Sequence, residues 1–497
     1  MSGLRIPERD AASVLLVRAI ESEDLDGVAL SREDRRDASA AALAETPIDD
    51  DRDRKQVRRF LVRRANRALT RLEARYPALR HVRTAAHWPG WLTPSVTAAA
   101  FLLGLLSNAF NSARLNILAF PLLGVLAWNG FIYLVLIGGG LLHLVRRQPG
   151  SRPHLLERAL GAIVRPAASR LAGQPTLERG VARFARDWAS AAGPLTRERA
   201  SLTLHLGAAM LAIGLLAGML LRARYTAEYN AGWAGTWAGA ENEIAWFLRI
   251  VLGPASALTG IALPDAAQLR DLRGGFENAG NWLVLWAVTI GAFVVVPRLL
   301  LALYHSARAT IFARTIPLPH DFYLRSLLRN ALGRASLAHV IPYAITLDDE
   351  AQRHTGRLLA AALGERTRVE LAPAIPYGEE EVWLAATPDL ANFDQLILLF
   401  SLASTPEAEN HGALVAAVKQ RIAGTGTHLL VLLDDSSFRR KSRGQGAADQ
   451  RLHERLSAWN AVLAPADLTA VAITLDAPDP VAAARTIEQA ILRTVPA

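Results

Sequence analysis

Two adjacent carboxylates and two hydroxyls stand together where they could do chemistry. Asp434, Asp435, Ser436 and Ser437 come at the end of the apolar run THLLVLLDDS, which reads as a buried strand. Ligands of open α/β sheets bind at the carboxyl ends of the strands, so these groups could hold Mg²⁺ or a phosphate through it. The same residue types are also typical of a turn that caps a helix. Asp434, Asp435 and Ser436 are therefore candidate cofactor-binding residues, but their types and spacing do not indicate a particular cofactor or metal.

The sequence lacks the lysine of a phosphate-binding loop. A P-loop needs a lysine directly after a glycine, so that its ammonium group reaches the β- and γ-phosphates. Lys55, Lys419 and Lys441 are the lysines of this chain, and each follows an arginine or a valine. No G-x-G-x-x-G segment stands at the start of a helix. Gly424 and Gly426 form a G-x-G pair, but they precede a strand. A self-contained P-loop GTPase or ATPase is excluded, and we predict no catalytic residue and no cofactor.

Composition excludes further kinds of site and points to a membrane. The 497 residues include no cysteine, which rules out disulfides, thiolate metal sites and a cysteine nucleophile. No histidine spacing suggests a metal site. Hydrophobic residues make up 51% of the chain, and the mean hydropathy of +0.17 is high for soluble cores alone. The formal charge of +9 lies largely beside apolar runs, so we expect no nucleic-acid partner.

Four long uncharged runs predict four transmembrane helices. A span needs about 20 mostly apolar residues, and its backbone must form its hydrogen bonds within the segment. The first run is at the short end of this range, and the other three fit it. The predicted spans are about 94–112, 117–145, 201–221 and 281–304.

Arginine placement predicts the orientation of these spans. Residues 54–83 hold eleven Arg and Lys against one acid, and residues 146–200 hold eleven Arg against four acids. Residues 222–280, by contrast, are acidic on balance. Under the positive-inside rule both termini are cytoplasmic and the Trp-rich loop 222–280 is periplasmic. The first 80 residues are polar and charged, so we expect an uncleaved multi-pass protein of a bacterial inner membrane, in contact with the lipid bilayer.

The ends of the spans carry residues typical of a membrane surface. Residues 13–45 predict one or two surface helices. After them, arginines recur every four residues beside an apolar stripe, which predicts a basic amphipathic helix that lies on anionic headgroups or packs on a cytoplasmic neighbour. The membrane-surface candidates are Arg59, Arg63, Arg67 and Arg71. Interfacial tryptophan is common where a span meets water, and the predicted belt is Trp88, Trp91, Trp282 and Trp286.

The fold class is α plus α/β. We predict a cytoplasmic helical region at 1–87, a four-helix transmembrane region at 88–304 and a cytoplasmic α/β domain at 305–497. In the last of these, apolar runs alternate with helical patterns, which favours a mostly parallel sheet covered on both faces. The predicted strands are 339–347, 367–373, 393–402, 427–436 and 468–476.

Several segments resemble one known family. They are LLVRAIESED, ARLNILAFPLLGVLAWNGFIYLVL, EYNAGWAGTW, WLVLWAVTIGAFVVVPRLLLALY, LLVLLDDSSFRRK and HERLSAWNAVLA. In this order they resemble the bacterial membrane family catalogued as domain of unknown function 2868. The resemblance implies a four-span inner-membrane protein with a cytoplasmic C-terminal domain. It also implies a gene beside that of a soluble GTPase-like protein, and it supplies no catalytic residues.

The leading functional hypothesis is a non-enzymatic membrane partner of a soluble GTPase-like protein. An enzyme acting at Asp434 and Asp435 is one alternative, and the sequence leaves a homo-oligomer open. The other alternative is a channel or transporter gated by the α/β domain. The polar residues that could line its pore are Asn108, Asn111, Asn116, Asn129, His143, Thr203 and His205.

Overall fold

The computed structural model folds the chain into two compact units. The first unit combines Met1–Ala86, Glu157–Ala191 and Thr315–Ala497, and the second combines His87–Leu156 and Ala192–Arg314. The residues that the structure describes are 4–24, 27–50, 52–107, 114–118, 120–146, 174–234, 239–319, 322–363, 367–386, 390–425, 427–442, 448–476 and 480–493.

Helices predominate, and the strands are short. The helices are α1 Glu8–Glu23, α2 Arg32–Glu45, α3 Arg54–Arg75, α4 Ala78–Ala85, α5 Leu92–Leu106, α6 Phe120–Arg146, α7 Pro175–Tyr225, α8 Glu241–Thr259, α9 Ala266–Asp271, α10 Gly280–Ile290, α11 Val296–Arg314, α12 Phe322–Ala331, α13 Asp349–Leu363, α14 Glu380–Ala386, α15 Ala413–Arg421, α16 Ser436–Ser442, α17 Ala448–Leu463 and α18 Pro480–Arg493. The strands are β1 Arg5–Ile6, β2 Arg114–Asn116, β3 Asn230–Gly232, β4 Glu277–Asn278, β5 Ile316–Pro317, β6 Leu337–Pro342, β7 Arg368–Leu371, β8 Gln395–Ser401, β9 His428–Asp434 and β10 Ala470–Ile473.

The N-terminal helices of the first unit begin at side-chain caps. Ser31 and Asp34 form a capping box at the start of α2, and the Asp53 carboxylate accepts hydrogen bonds from the first backbone N–H groups of α3. Helix α1 is buried at Glu8 and continuously from Ala11 to Ser22. The prediction of surface helices over 13–45 is therefore wrong for α1, which packs against α3 and is covered on all sides.

Contacts between distant parts of the sequence hold the first unit together. Strand β1 pairs antiparallel with β5, which joins residues 5–6 to residues 316–317. Arg18 pairs with Asp187 at 2.6 Å, and the Trp188 indole donates a hydrogen bond to the carbonyl oxygen of Ala86 at 2.8 Å. The N-terminal region, the start of α7 and the C-terminal region therefore belong to one body.

The C-terminal segment contains a parallel five-stranded sheet in the order β10-β9-β8-β6-β7. Each pair of neighbours is parallel. This result confirms the predicted α/β character, and a strand overlaps each of the five predicted ranges, although β6 begins two residues before its range. Numbered along the chain, the order is 2-1-3-4-5, which is that of a doubly wound sheet with its switch point between β6 and β8.

Alternate side chains of these strands enter two separate cores. One face packs Leu398, Phe400 and Leu433 against Trp459 of α17 and the apolar side of α15. The opposite face packs strand residues such as Ile397 against α13 and α18. Both faces are covered, and this explains why the strands are apolar at nearly every position.

The second unit exposes much of its apolar surface. Among the described residues, the exposed large hydrophobic side chains of the first unit are Val28, Tyr377 and Val382, and the others lie in the second unit. Many of these are leucines on α5, α6, α7 and α11, such as Leu106, Leu134, Leu204 and Leu303. An exposed apolar surface of this extent is typical of contact with lipid or a partner protein.

Two helices are long and apolar enough to cross a membrane, whereas four were predicted. They are α7 and the continuous helix Gly280–Arg314, which joins α10 to α11 through a π-helical turn. Helix α5 has 15 residues and rises about 22 Å, less than the roughly 30 Å of a bilayer core. The described apolar part of α6 is Leu123–Gly138. Among the described residues, helices of sufficient length and hydropathy are present at the predicted spans 201–221 and 281–304, but not at the other two.

Glycines bring α5 and α7 into backbone contact. A methyl group added at Gly214 would overlap the carbonyl oxygen of Phe101, and one at Gly218 would overlap that of Leu105. Gly104 on α5 faces α7 in the same way. Gly214 and Gly218 form a G-x-x-x-G pair, a spacing that lets helices approach closely in membranes.

The predicted periplasmic loop 222–280 is a folded part of the second unit. Strands β2, β3 and β4 form a small sheet, and α8 packs against α10. The Trp233 indole is buried and donates a hydrogen bond to the carbonyl oxygen of Leu269 at 2.6 Å. Trp246 is 65% exposed, and Trp237 lies outside the described residues.

Candidate functional site

The carboxyl edge of the five-stranded sheet carries the predicted site residues and a second group of polar side chains. Strands β6, β8 and β9 end there at Pro342, Ser401 and Asp434. In doubly wound sheets, ligands bind at this edge, in the crevice beside the switch point. The predicted residues lie at the end of β9, whereas the switch point lies between β6 and β8.

The predicted residues Asp434 and Ser436 are bonded to their own chain. One carboxylate oxygen of Asp434 accepts hydrogen bonds from the backbone N–H of Ser436 at 3.1 Å and of Leu475 at 3.3 Å. The Ser436 hydroxyl oxygen accepts from the backbone N–H groups of Leu475 and Asp476 at 2.8 and 3.0 Å. The first of these bonds lies at the start of α16, and the others join the end of β9 and the start of α16 to the segment after β10.

The third predicted residue, Asp435, is engaged as well. Its carboxylate pairs with Arg439 at 2.6 Å and accepts a hydrogen bond from the Thr474 hydroxyl at 2.6 Å. Burial raises the pKa of Asp434, although its hydrogen bonds to Ser436 and Leu475 oppose this rise. The geometry matches the interpretation of these residues as a turn that caps a helix. A cation or phosphate would have to displace their hydrogen bonds and the ion pair with Arg439.

A second polar cluster lies at the switch point, and sequence reasoning missed it. The Tyr343 hydroxyl donates a hydrogen bond to Glu380, and the Tyr377 hydroxyl donates one to Glu407 at 2.9 Å. The His411 ring is buried and lies edge-on to Tyr343 at 5.1 Å. These five residues are the switch-point cluster.

Burial and hydrogen bonding set the protonation of this cluster. Burial lowers the pKa of His411 and raises that of Tyr343, so the imidazole and the phenol are both neutral at pH 7. Burial opposes ionisation of Glu380, but the hydrogen bond from Tyr343 lowers the pKa of this carboxyl. The cluster therefore presents carboxylates that already accept phenolic hydrogen bonds.

The backbone beside Tyr343 is strained. Ala344 has φ of 51°, a left-handed conformation that costs an alanine about 1–2 kcal/mol. Its N–H donates a hydrogen bond to the carbonyl oxygen of Ile375 at 2.8 Å, and Tyr343 forms a parallel bridge with Ile375. The repeated triplet Ile-Pro-Tyr at 341–343 and 375–377 is the signal that could have located this cluster.

The arginines predicted for the membrane surface lie on α3 beside acids of α2. Arg63 and Arg67 both pair with Glu45, and Arg71 pairs with Asp34 at 3.2 Å and with Asp37 at 3.1 Å. Arg59, the fourth of the set, is exposed. These pairs fit the alternative in which the helix packs on a neighbouring element, and contact of the arginines with headgroups stays a prediction.

The four predicted belt tryptophans differ in exposure. Trp91 is 67% exposed, and Trp88 is half-buried with its N–H directed at the Thr93 hydroxyl at 3.2 Å. Trp282 and Trp286, at 3% and 0% exposure, lie in the core of the second unit instead of on its surface. They pack there because α10 is covered by α8, and no local sequence pattern indicates this pairing.

A buried charged network lies in the second unit. Arg298 is 6% exposed, and its guanidinium donates hydrogen bonds to Asn129 at 2.8 Å and to the ring of His205 at 3.1 Å. The His205 ring stacks on His305, which pairs with Glu198 at 2.6 Å. Arg298 is therefore held inside the unit, where its charge is compensated by polar side chains instead of water.

The described contacts of two other predicted pore residues, Thr203 and Asn116, lie outside this network. The Thr203 hydroxyl is 2.7 Å from that of Thr93, and the Asn116 amide oxygen accepts a hydrogen bond from the N–H of Leu118 at 2.9 Å. Asn108, Asn111 and the side chain of His143 lie outside the described residues. Within the part of the chain that the structure describes, no group of three His, Asp or Glu side chains is arranged to hold a metal ion.

The chain matches no protein-family model, no curated protein and no solved structure. The resemblance to the membrane family therefore stays a prediction.

Proposed function

We propose that this chain is a non-enzymatic membrane anchor that holds a soluble GTPase-like protein at a bacterial inner membrane. The main support is that three chain segments fold into one body although two long segments rich in apolar residues, 87–156 and 192–314, separate them. Segments of one body share one side of a bilayer. Each of the two intervening segments must then cross the bilayer an even number of times.

Two crossings in each intervening segment give the four-span arrangement with both termini on one side. Helices α7 and Gly280–Arg314 supply the second pair, and the exposed leucines of the second unit supply a surface suited to lipid. Helices α5 and α6 supply the first pair, and local thinning of the bilayer accommodates the short α5. The excess of arginine in 54–83 and 146–200 favours the cytoplasmic side for the first unit.

The carboxyl edge of the five-stranded sheet supports a binding role for the first unit. Asp434, Asp435 and Ser436 are bonded to their own chain, which favours a structural role over catalysis. Tyr377 and Val382 are 59% and 68% exposed near this edge, and exposed apolar side chains are typical anchors of protein interfaces. We propose that the partner docks over these two residues. The identity of the partner rests on the neighbour that the family resemblance implies.

Co-purification tests this proposal. The full chain in mild detergent is the bait, and the GTPase-like protein encoded beside it is the prey. Val382→Arg is expected to lower the recovered prey at least tenfold, because a charge would replace an apolar anchor. Val28→Arg is the matched control, since Val28 is also an exposed valine of the first unit, at 58%. No enrichment over an unrelated membrane bait, or equal recovery with both variants, would contradict the proposal.

The Arg298 network favours transport as a second candidate function. Ionisable residues buried among apolar helices commonly mark ion or substrate pathways. In this alternative, His205, His305 and Glu198 would extend the pathway from Arg298, and the α/β domain would gate it. Ion or solute flux in reconstituted vesicles, lost in Arg298→Met and retained in the exposed control Arg224→Met, would support it. The absence of flux in wild-type vesicles would remove it.

A further inference from the structure

A large cavity in the first unit is lined by arginines. It encloses about 1060 Å³ between α2 and α3 on one side and α12 and α13 on the other. This volume is at the upper end of the range for small-molecule sites. Arg32, Arg35 and Arg36 line it from α2, Arg64 from α3 and Arg357 from α13, and none of its described lining residues is acidic.

Two of the five arginines are neutralised by acids behind the wall. Arg35 pairs with Asp24 at 3.0 Å. Arg64 donates hydrogen bonds to both oxygens of Glu21 at 2.9 Å. The other three have no ion pair or hydrogen bond among the residues that the structure describes, and all three are exposed. They leave uncompensated positive charge at a solvent-accessible cavity.

The arginines of α2 are positioned by helical spacing. Arg32, Arg36 and Ala40 recur every four residues, so they lie on one face of the helix, beside Ser39 and Leu43. Arg64 is fixed more firmly, since it also donates hydrogen bonds to Ser39 and Tyr323, both at 3.0 Å. Arg35 and Arg64 are therefore held by contacts that exist without a ligand.

The opposite wall is largely apolar. Leu327, Ala331, Ala360 and Leu363 line it. The cavity thus combines several guanidinium groups with an apolar surface.

We propose that this cavity binds a phosphate-bearing organic anion of about nucleotide size. Arginine donates paired hydrogen bonds to phosphate oxygens, so Arg32, Arg36 and Arg357 would hold the phosphates. The apolar wall would cover a base. The phosphate comes from a soluble nucleotide or from a lipid headgroup, and the chemistry is shared by both. This site does not depend on the GTPase-like partner.

Calorimetry with the full chain in detergent tests the proposal. The three probes are ATP without Mg²⁺, inorganic pyrophosphate and a short-chain phosphatidylglycerol. The test variant is the double substitution Arg36→Gln with Arg357→Gln. The control is Arg58→Gln with Arg353→Gln, which removes the same charge from exposed arginines of α3 and α13 outside the cavity. We expect the test variant to bind at least about tenfold more weakly and the control to bind like the wild type.

The relative affinities of the three probes distinguish a soluble nucleotide from a lipid headgroup as the source of the phosphate. Tightest binding of ATP indicates a soluble nucleotide, and tightest binding of phosphatidylglycerol indicates a lipid headgroup. Pyrophosphate alone is expected to bind more weakly than ATP, because it leaves the apolar wall uncovered. No binding of any probe, equal weakening in both double variants, or displacement of ATP by a hexaglutamate peptide at equal concentration would overturn the proposal.

Discussion

At the scale of single residues, Arg64 shows how a charge is kept inside the first unit. The residue is 3% exposed, and its guanidinium contacts Glu21, Tyr323 and Ser39. Burial opposes the charge, but the Glu21 carboxylate and the Tyr323 hydroxyl raise the pKa of Arg64 above its usual value. The arrangement is stable only while each partner is present, because a lone buried charge is strongly disfavoured.

Removing one partner of this pair should therefore destabilise the first unit. Glu21→Ala is expected to lower the free energy of unfolding by about 3–5 kcal/mol. The control is Arg63→Ala on the neighbouring position of α3, whose side chain is 64% exposed and pairs with Glu45 at 3.6 Å. It should cost less than about 1 kcal/mol. Urea unfolding of the full chain in detergent measures both, and equal costs would contradict a buried pair.

Asp434 gives a prediction about pH. Burial raises its pKa in the folded chain, so folding favours its protonated form. The stability that it contributes is then fully present below the ordinary value of 3.8 and is lost as the pH rises through the raised value. Asp434→Asn keeps an acceptor for Ser436 and Leu475 without the charge. Relative to the wild type, this variant should gain stability between pH 4 and pH 7.

Urea midpoints of the wild type, Asp434→Asn and Asp434→Ala at both pH values check this. Asp434→Ala should cost about 1–3 kcal/mol, because it leaves buried N–H groups without an acceptor. A difference between Asp434→Asn and the wild type that does not change with pH would show that the carboxylate is not disfavoured in the folded chain.

At the scale of elements, the contact of α5 with α7 depends on having no side chain at Gly214. Alanine normally stabilises a helix relative to glycine by about 0.5–1 kcal/mol. At Gly214 the added methyl would overlap the carbonyl oxygen of Phe101, and overpacking of this kind costs about 1–3 kcal/mol. At Gly207, on the same helix, the nearest atom would be a Val96 methyl at 3.6 Å, an ordinary contact.

The same substitution should thus have opposite effects at two positions of one helix. Gly214→Ala is expected to lower the melting temperature of the full chain in detergent, and Gly207→Ala to leave it unchanged or raise it. A rise in both variants would mean that α5 and α7 do not approach closely in solution.

The sequence predicted the strands of the α/β domain well because local patterns determine them. Runs such as THLLVLLDDS are apolar at consecutive positions only where both faces of a sheet are covered. The switch-point cluster was not predictable in this way, since Tyr343, Glu380 and His411 come from separate elements. The burial of Trp282 and Trp286 also depends on the distant helix α8, which periodicity within α10 does not reveal.

At the scale of the whole molecule, the sequence predicted a cytoplasmic region on each side of the spans as two separate domains. The structure joins the two regions in one unit through β1 with β5 and through Arg64 with Tyr323. Neither contact has a local signal, because strand β1 has two residues and Arg64 lies in a run of arginines. The cavity between α2 and α13 could not be predicted for the same reason.

This joined unit makes a prediction about membrane topology that single cysteines can test. The chain has no cysteine of its own, so each introduced thiol reports one position. Asn66, Ala182 and Glu409 are exposed residues from the three segments of the first unit, and Ala267 is an exposed residue of the second. In intact cells, a membrane-impermeant maleimide is expected to label Ala267→Cys alone. After the cells are opened, it should label Asn66→Cys, Ala182→Cys and Glu409→Cys as well. Labelling of Ala182→Cys from outside, with the other two protected, would require an odd number of crossings before it, and the three segments could not then form one body.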